Sequence, residues 1–294
     1  MKVVYGHTDS IYVQIDSIDK AKEAAKEIEA HVRKSFPNVM GLEEHPVALE
    51  FEKYYTSLGV GITKNRNAGL ISWEDDVYLD EPKFVMTGFT AKRVSETKLA
   101  KEVQTTVLKM WVEQKTQKQI NAYLNRKYRK TINGNMVVAD FIKRSRLREE
   151  RFLLKCSCKK QYHTNDLLKL KWCTNCGVET KYFLTTGGKR PTFGAGIAGV
   201  LYGWEKLNMV FDDSYLFLKV QGVNDTFTNP LTGEQRRVEY ISATKYDEFN
   251  QWTPDWEHYA NQVVKKAEPI YKAMGWELSS IRTGRIQQGL DEWW

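Results

Sequence analysis

Cysteine is scarce in this chain. Four residues in 294, all between positions 156 and 176, cannot staple a fold of this size, which excludes a secreted disulfide scaffold and points to a metal site in a reducing compartment. Long hydrophobic runs are missing too. No stretch of eighteen apolar residues occurs, mean hydropathy is −0.54, and Met1 leads straight into a run punctuated by polar residues. A membrane span and a cleaved leader are therefore not expected, and the chain reads as a soluble cytoplasmic protein with no membrane partner. Internal repeats and low-complexity tracts are absent, which excludes a solenoid. Apolar residues, by contrast, make up 41% of the chain, with nine Trp, fifteen Tyr and twelve Phe. That supply excludes global disorder and is enough for two domain cores.

The net charge of +7 is modest, but it is unevenly spread. Residues 1–91 hold 10 basic and 15 acidic side chains, residues 92–155 hold 17 and 6, and residues 156–294 hold 17 and 16. One stretch therefore carries an excess of +11 beside an acidic segment of −5. A block of this kind is what a binder of phosphate backbones needs, because each neutralised phosphate releases condensed counterions; a solvated helical face would give the same count.

The opening run, Met1 to Ile15, reads as two β-rich segments around a tight turn at Gly6 to Asp9, a hairpin whose tip is polar. Asp19 is placed to cap a helix with the ladder Ala24, Ile28, Val32 and Phe36, ended by Pro37-Asn38. Strands are expected around 47–62 and 68–79. From Ser95 the pattern turns helical, with Leu99, Val103, Val107 and Met110 on one stripe; a second helix is expected over Val137 to Leu147. Helical character resumes near Ile197 to Lys206, a β-like run covers Tyr215 to Val220, and a last helix with Thr253 as cap and Pro254 at its first position runs to Gly275.

The cysteines are spaced Cys156-x-Cys158, fourteen residues, Cys173-x2-Cys176. Two close pairs separated by a ribbon-length loop suit a tetrahedral thiolate site for Zn²⁺. An iron–sulfur cluster, His163 in place of one ligand, and four unliganded thiols remain as alternatives. Lys155, Lys159, Lys160, Lys169 and Lys171 surround them, as a surface facing DNA would require.

Tyr5-Gly6-His7-Thr8-Asp9-Ser10 resembles the Tyr-Gly-Asp-Thr-Asp-Ser signature (motif C) of family B DNA polymerases. Three further blocks follow in the family's order. Gly61-Ile-Thr-Lys-Asn-Arg-Asn-Ala-Gly69 is similar to its Lys-Lys-Arg-Tyr-Ala-Gly element, Thr87 to Arg93 with Ala100 to Gln104 to the start of an archaeal-type thumb, and Gly194 to Lys219 with Tyr259 to Gly275 to the rest of that thumb. The resemblance implies an α+β fold. A partial palm over residues 1–90, made of a β-hairpin, a helix and antiparallel strands, would be followed by a mainly helical thumb over 91–278. A zinc ribbon or knuckle would be inserted at about 152–190, and a tail would occupy 279–294.

It also implies chemistry. Template-directed nucleotidyl transfer uses two Mg²⁺ ions that bridge attacking and leaving oxygens, and hard cations prefer carboxylates. Asp9 matches the second carboxylate of the signature and is the expected catalytic Mg²⁺ ligand. His7 stands where the first carboxylate belongs, with Thr8 between them, and imidazole is a poorer ligand for such an ion. Either activity survives through Asp9 with partner residues, or the polymerase is weakened or inactive. Lys64 and Arg66 match backbone-gripping positions, and Lys92 and Arg93 match basic thumb positions, all expected to touch DNA phosphates. Asn65 and Asn67 depart from the family pattern.

Gln287, Leu290, Trp293 and Trp294 resemble the peptide that docks on sliding clamps, with the tail packing back on the polymerase as the competing reading. A second palm carboxylate motif and the fingers pattern of the family are not recognisable. The expectation is the small subunit of a heterodimeric, archaeal-type DNA polymerase, cytoplasmic and nucleoid-associated, with a large subunit, primer-template DNA, dNTP and a sliding clamp as partners. The alternative is a catalytically inactive DNA- and clamp-binding accessory subunit derived from a polymerase.

Overall fold

The computed structural model describes residues 2–7, 10–63, 65–93, 95–146, 153–163, 166, 170–189, 214–228 and 235–286. In chain order these form β1 (Lys2–His7), β2 (Ser10–Gln14), α1 (Ile18–Ser35), β3 (Lys53–Val60), β4 (Asn67–Glu74), β5 (Val77–Thr87), α2 (Lys98–Val112) and α3 (Gln117–Ile132). There follow β6 (Lys143–Arg146), β7 (Leu153–Lys155), β8 (Gln161–His163), β9 (Leu184–Thr185), β10 (Ser214–Lys219), β11 (Thr226–Thr228), β12 (Gln235–Arg237), β13 (Tyr240–Ala243), α4 (Trp256–Met274) and α5 (Ser279–Thr283). Among the described residues every strand pairing is antiparallel. Helices and antiparallel sheets alternate along the chain, as the α+β reading expects.

Two compact units emerge. One contains Met1–Phe89, Thr105–Ile120 and Glu268–Glu277, the other Thr90–Gln104, Asn121–Ala267 and Leu278–Trp294. The basic stretch 92–155 is thus shared between them.

In the first unit, β4 is the central strand of the sheet β3-β4-β5. Its alternation buries Gly69, Ile71 and Trp73, the period-two pattern of a strand with one covered face, and Ala68 is buried as well. Trp73 stacks on Phe51 at 4.5 Å, and Lys22 of α1 sets its ammonium 4.9 Å from the Trp73 ring. The helix comes this close because its inner face is small: Ala21 and Ala24 are buried. The cap of α1 is Ser17, whose Oγ accepts from the Lys20 N–H at 3.3 Å, and not the expected Asp19. Asp19 sits in the first turn, where its charge favours the helix dipole. The ladder ends early, since Phe36 follows the helix and is exposed.

The second unit holds the sheet β13-β10-β6. Tyr259 of α4 accepts a hydrogen bond from the Lys219 N–H of β10 at 2.8 Å, and its ring lies 4.7 Å from that of buried Phe141. The stripe on α2 is confirmed in its first three members, Leu99, Val103 and Val107, all buried. The helix expected over 137–147 is not formed: a short 3-10 turn covers Val138–Asp140, and Lys143–Arg146 is a strand paired with β10. The basic run alternates inward and outward, which suits an edge strand. The helix lies earlier, as α3. Its start carries a reciprocal capping box, in which Gln119 N–H donates to Thr116 Oγ1 at 3.3 Å and Thr116 N–H donates to Gln119 Oε1 at 2.9 Å. α4 is capped by Asp255, which accepts from the His258 N–H at 2.9 Å; Thr253 and Pro254 precede the cap, and Pro254 bridges Val220 instead. The stretch 197–206 lies outside the described residues. Among the described residues, no helix is long and apolar enough to cross a membrane.

Candidate active site and metal centre

The hairpin is built as its residues suggest. β1 and β2 pair antiparallel with His7 opposite Ser10, Gly6 opposite Ile11 and Tyr5 opposite Tyr12. Thr8 and Asp9, between the paired ends, lie outside the described residues, as do Lys64, Gln287, Leu290, Trp293 and Trp294. Aromatic residues hold the hairpin in its unit. Tyr5 and Tyr12 lie 5.3 Å apart, Tyr12 and Tyr55 of β3 lie 6.0 Å apart, and the Tyr54 hydroxyl donates to the Ile15 carbonyl at 3.3 Å. Burial, reinforced by Tyr12, pushes the Tyr55 hydroxyl up to about 12, so it stays protonated. β1 and β2 form a sheet of their own among the described residues, and Val3, Val4 and Ile11 are exposed.

The element between β3 and β4 meets this hairpin directly. Tyr5 donates its hydroxyl hydrogen to Asn65 Oδ1 at 3.2 Å, and the Gly61 N–H donates to the Arg66 carbonyl at 2.7 Å. Asn65 adopts a left-handed backbone, φ +61°, a conformation that asparagine tolerates. The departure from the expected lysine therefore serves the turn and ties it to Tyr5. Gly88 seals the loop from the other side. Its φ is +75°, and a Cβ there would stand 1.8 Å from the Asn65 carbonyl oxygen. Gly88→Ala is expected to cost about 3 kcal/mol or more, from left-handed strain plus a clash with backbone that cannot swing away. Gly275→Ala, at φ +68° with nothing within 4 Å, should cost only about 1 kcal/mol. Urea unfolding of the two variants checks the difference; equal midpoints would refute it.

Lys92 and Arg93 lie exposed at and just after a 3-10 turn, Thr90–Lys92, which leads toward α2. The same unit holds a half-buried ion cluster that sequence reasoning missed. Lys266 of α4 donates to Glu96 Oε2 at 2.5 Å and to Thr90 Oγ1 at 2.8 Å, while Lys143 of β6 lies 3.6 Å from Glu96. The side chains of Lys266 and Glu96 are only 10% and 14% exposed. Burial alone would raise the Glu96 carboxyl, but the hydrogen bond from Lys266 and the charge of Lys143 outweigh it and hold the group below its usual 4.5. Lys266→Ala is expected to cost about 1–2 kcal/mol, because the half-buried Glu96 loses its hydrogen-bonded cation while Lys143 stays beside it. The contribution is fully present above the ordinary glutamate value of 4.5 and is lost as pH falls through the lowered folded value. Wild type and variant should therefore differ in urea midpoint at neutral pH and converge in acid.

The same unit exposes Arg126 and Lys130 on α3, a helix without an acidic residue, and Arg144 and Arg146 on β6. The period-two run Lys143 to Arg146 was the signal for the last two.

The cysteine segment folds as a three-stranded sheet, β8-β7-β9, over a small core of Leu154, Tyr162 and Phe183. Two turns present the thiols. In the first, Cys156 N–H donates to the Lys160 carbonyl at 3.0 Å, with Lys159 at φ +68°; in the second, Cys173 N–H donates to the Val178 carbonyl at 2.7 Å. Cys156 Sγ lies 3.3 Å from Cys176 Sγ, Cys158 Sγ lies 3.6 Å from Cys173 Sγ, and all four sulfurs fall within 4.8 Å of one another. Those separations are too long for S–S bonds of about 2.05 Å. They are close to the edge of about 3.8 Å that a tetrahedron of Zn–S bonds near 2.3 Å requires. His163 is not part of the cluster.

The thiols also carry the protonation pattern of ligands waiting for charge. Burial pushes Cys173 up, but the Tyr162 hydroxyl at 3.1 Å and backbone N–H groups override it and bring the thiol down to about 6. The Val178 N–H favours the Cys176 thiolate, yet its contact with the Cys156 thiol, burial and the remaining thiols push it up to about 12. A divalent cation removes the conflict by binding all four as thiolates.

Comparison with known proteins identifies the family. Over 143 residues, 48% of this chain, it is 29% identical to the DNA polymerase zeta catalytic subunit of Arabidopsis thaliana, and it spans 7% of that protein's length. The family profile of DNA polymerase family B matches residues 1–274. The chain belongs to DNA polymerase family B.

Proposed function

We propose that this chain supplies the distal palm and the thumb of a DNA-directed DNA polymerase, as the small subunit of a heterodimer. The observation that carries the reading is the family match running from the hairpin through α4, with His7 and Ser10 paired on either side of Thr8-Asp9. In this reading Asp9 is a Mg²⁺ ligand at the primer terminus, and Thr8 and His7 complete the tip. Two Mg²⁺ ions need more carboxylate than Asp9 provides, so the remaining ligands, the fingers and the dNTP site come from the large subunit. The exposed Val3, Val4 and Ile11 of the hairpin support a second chain seated there.

Lys64 and Arg66 hold primer-template phosphates beside the hairpin, and Lys92 and Arg93 do so on the thumb, without reading sequence. Zn²⁺ is held by Cys156, Cys158, Cys173 and Cys176 as a structural ion, since four thiolates leave no open coordination position. The tail docks on a sliding clamp through Gln287, Leu290, Trp293 and Trp294. Sedimentation of the chain mixed with a chain bearing the fingers and the other palm carboxylate tests the assembly: a one-to-one complex is expected, and two separately sedimenting species would refute it.

One observation favours a second reading. His7, in place of a carboxylate, fits an accessory subunit that binds DNA without catalysing. That reading requires synthesis by the complex to be indifferent to Asp9.

A further inference from the structure

The module between Leu153 and Lys189 has more aromatic surface than its fold uses. Its core is satisfied by Leu154, Tyr162 and Phe183. Trp172 and Tyr182 stand outside it, 58% and 62% exposed. Singly exposed rings are common, but neighbouring ones that form a continuous strip mark an interaction surface. The two also belong to one strip. Trp172 bridges Glu179 in antiparallel fashion, with the Thr180 N–H donating to the Lys171 carbonyl at 3.0 Å, and partners opposite each other across such a bridge share a face. Glu179 is ion-paired with Lys181, whose ammonium lies 5.1 Å from the Tyr182 ring. Trp172, Glu179, Lys181 and Tyr182 therefore follow one another along the surface.

The surroundings of the strip select the partner. Lys159, Lys160, Lys171, Lys181 and Lys189 are exposed on the described part of this small module, against Asp166 and a Glu179 already paired with Lys181. An apolar protein partner would have to desolvate these ammonium groups. A phosphate backbone neutralises them and gains counterion release. Duplex DNA offers its phosphates but keeps its base faces stacked on one another, so it has nothing for the two rings. A single strand offers both, because its bases can turn out and stack on aromatic side chains while lysines track the backbone.

We propose that the Trp172–Tyr182 strip is a binding site for single-stranded DNA, with the rings taking bases and Lys171, Lys181 and Lys189 taking phosphates. The site does not depend on Asp9 or on the catalytic reading of the hairpin.

The test is fluorescence anisotropy of labelled oligothymidylate and of a labelled duplex, each titrated with the full zinc-loaded chain. Stacking lost per base is worth about 1–3 kcal/mol. W172A/Y182A removes two stacking rings and should thus weaken single-strand binding by about 30-fold or more while duplex affinity stays within about twofold. W172F/Y182F, which keeps a ring at each place, should retain most of the single-strand affinity, and zinc content measured on both variants shows that the module is intact. Single-strand affinity that survives W172A/Y182A with zinc retained would overturn the proposal. So would an equal loss on duplex and single strand, since lysines alone would then account for the binding.

Discussion

Asp9→Ala is expected to lower the single-turnover rate of primer extension by the assembled polymerase about 10³-fold, with primer-template affinity nearly unchanged. The magnitude follows from the chemistry. A carboxylate that fixes a divalent ion between attacking and leaving oxygens stabilises charge that develops only in the transition state. Loss of about 4 kcal/mol there is three decades of rate. In the proposed reading substrate DNA is gripped elsewhere, by cations such as Arg66, Lys92 and Arg93, so the ground state should barely notice. His7→Asp should act in the opposite direction, restoring a hard oxygen ligand and lowering the Mg²⁺ concentration needed for half-maximal rate. An Asp9→Ala complex that extends primers at the wild-type rate would support the accessory reading instead.

Removal of zinc should unfold the cysteine module and leave the β3-β4-β5 sheet intact. Sequences below about 40 residues seldom bury enough apolar surface to fold unaided, and among the described residues the module's core is small, built on Leu154, Tyr162 and Phe183 with the thiols beside them. Structural zinc contributes apparent binding energies of about 10–16 kcal/mol, more than a module of this size gains from burial alone. Cys173→Ser, or a chelator, should abolish amide-exchange protection in β7, β8 and β9 while β4 keeps its own. The pH dependence has a definite sign. Binding requires four thiolates, and protons compete for them, so metal affinity and the stability it brings fall as pH is lowered. Tyr162 feeds into this, because its hydroxyl holds the Cys173 thiol down at about 6. Zinc release should therefore begin at higher pH in Tyr162→Phe than in wild type. Unchanged protection after metal removal would mean the module folds without the ion.

The parts of the molecule legible in the sequence are those fixed by short-range chemistry. The hairpin followed from β-rich runs around Gly6 to Asp9, and the cluster of four thiols from cysteine spacing. The α4 stripe followed from apolar residues at helical intervals, of which Ala260, Val263, Ala267 and Ile270 are buried. Errors arose where neighbours decide. Lys143 to Arg146 reads as a basic helix face until β10 is beside it, and Ser17 and Asp19 are both good caps until the entering chain selects one. The start of α3 was readable from Thr116-x-x-Gln119, a capping box in plain sight. Nothing in the sequence could have announced the Glu96–Lys266–Lys143 cluster, because 170 positions separate Glu96 from Lys266. Nor could it show that Asn65, a departure from the family pattern, receives the hydroxyl of Tyr5 in the hairpin itself.

The central claim is that catalysis is divided between this chain and another. Primer extension is measured for this chain alone, for the chain bearing the fingers alone, and for the two titrated against each other. Synthesis that is absent from each component and saturates at one-to-one stoichiometry is the predicted result. Extension by either component alone at the rate of the mixture would contradict it.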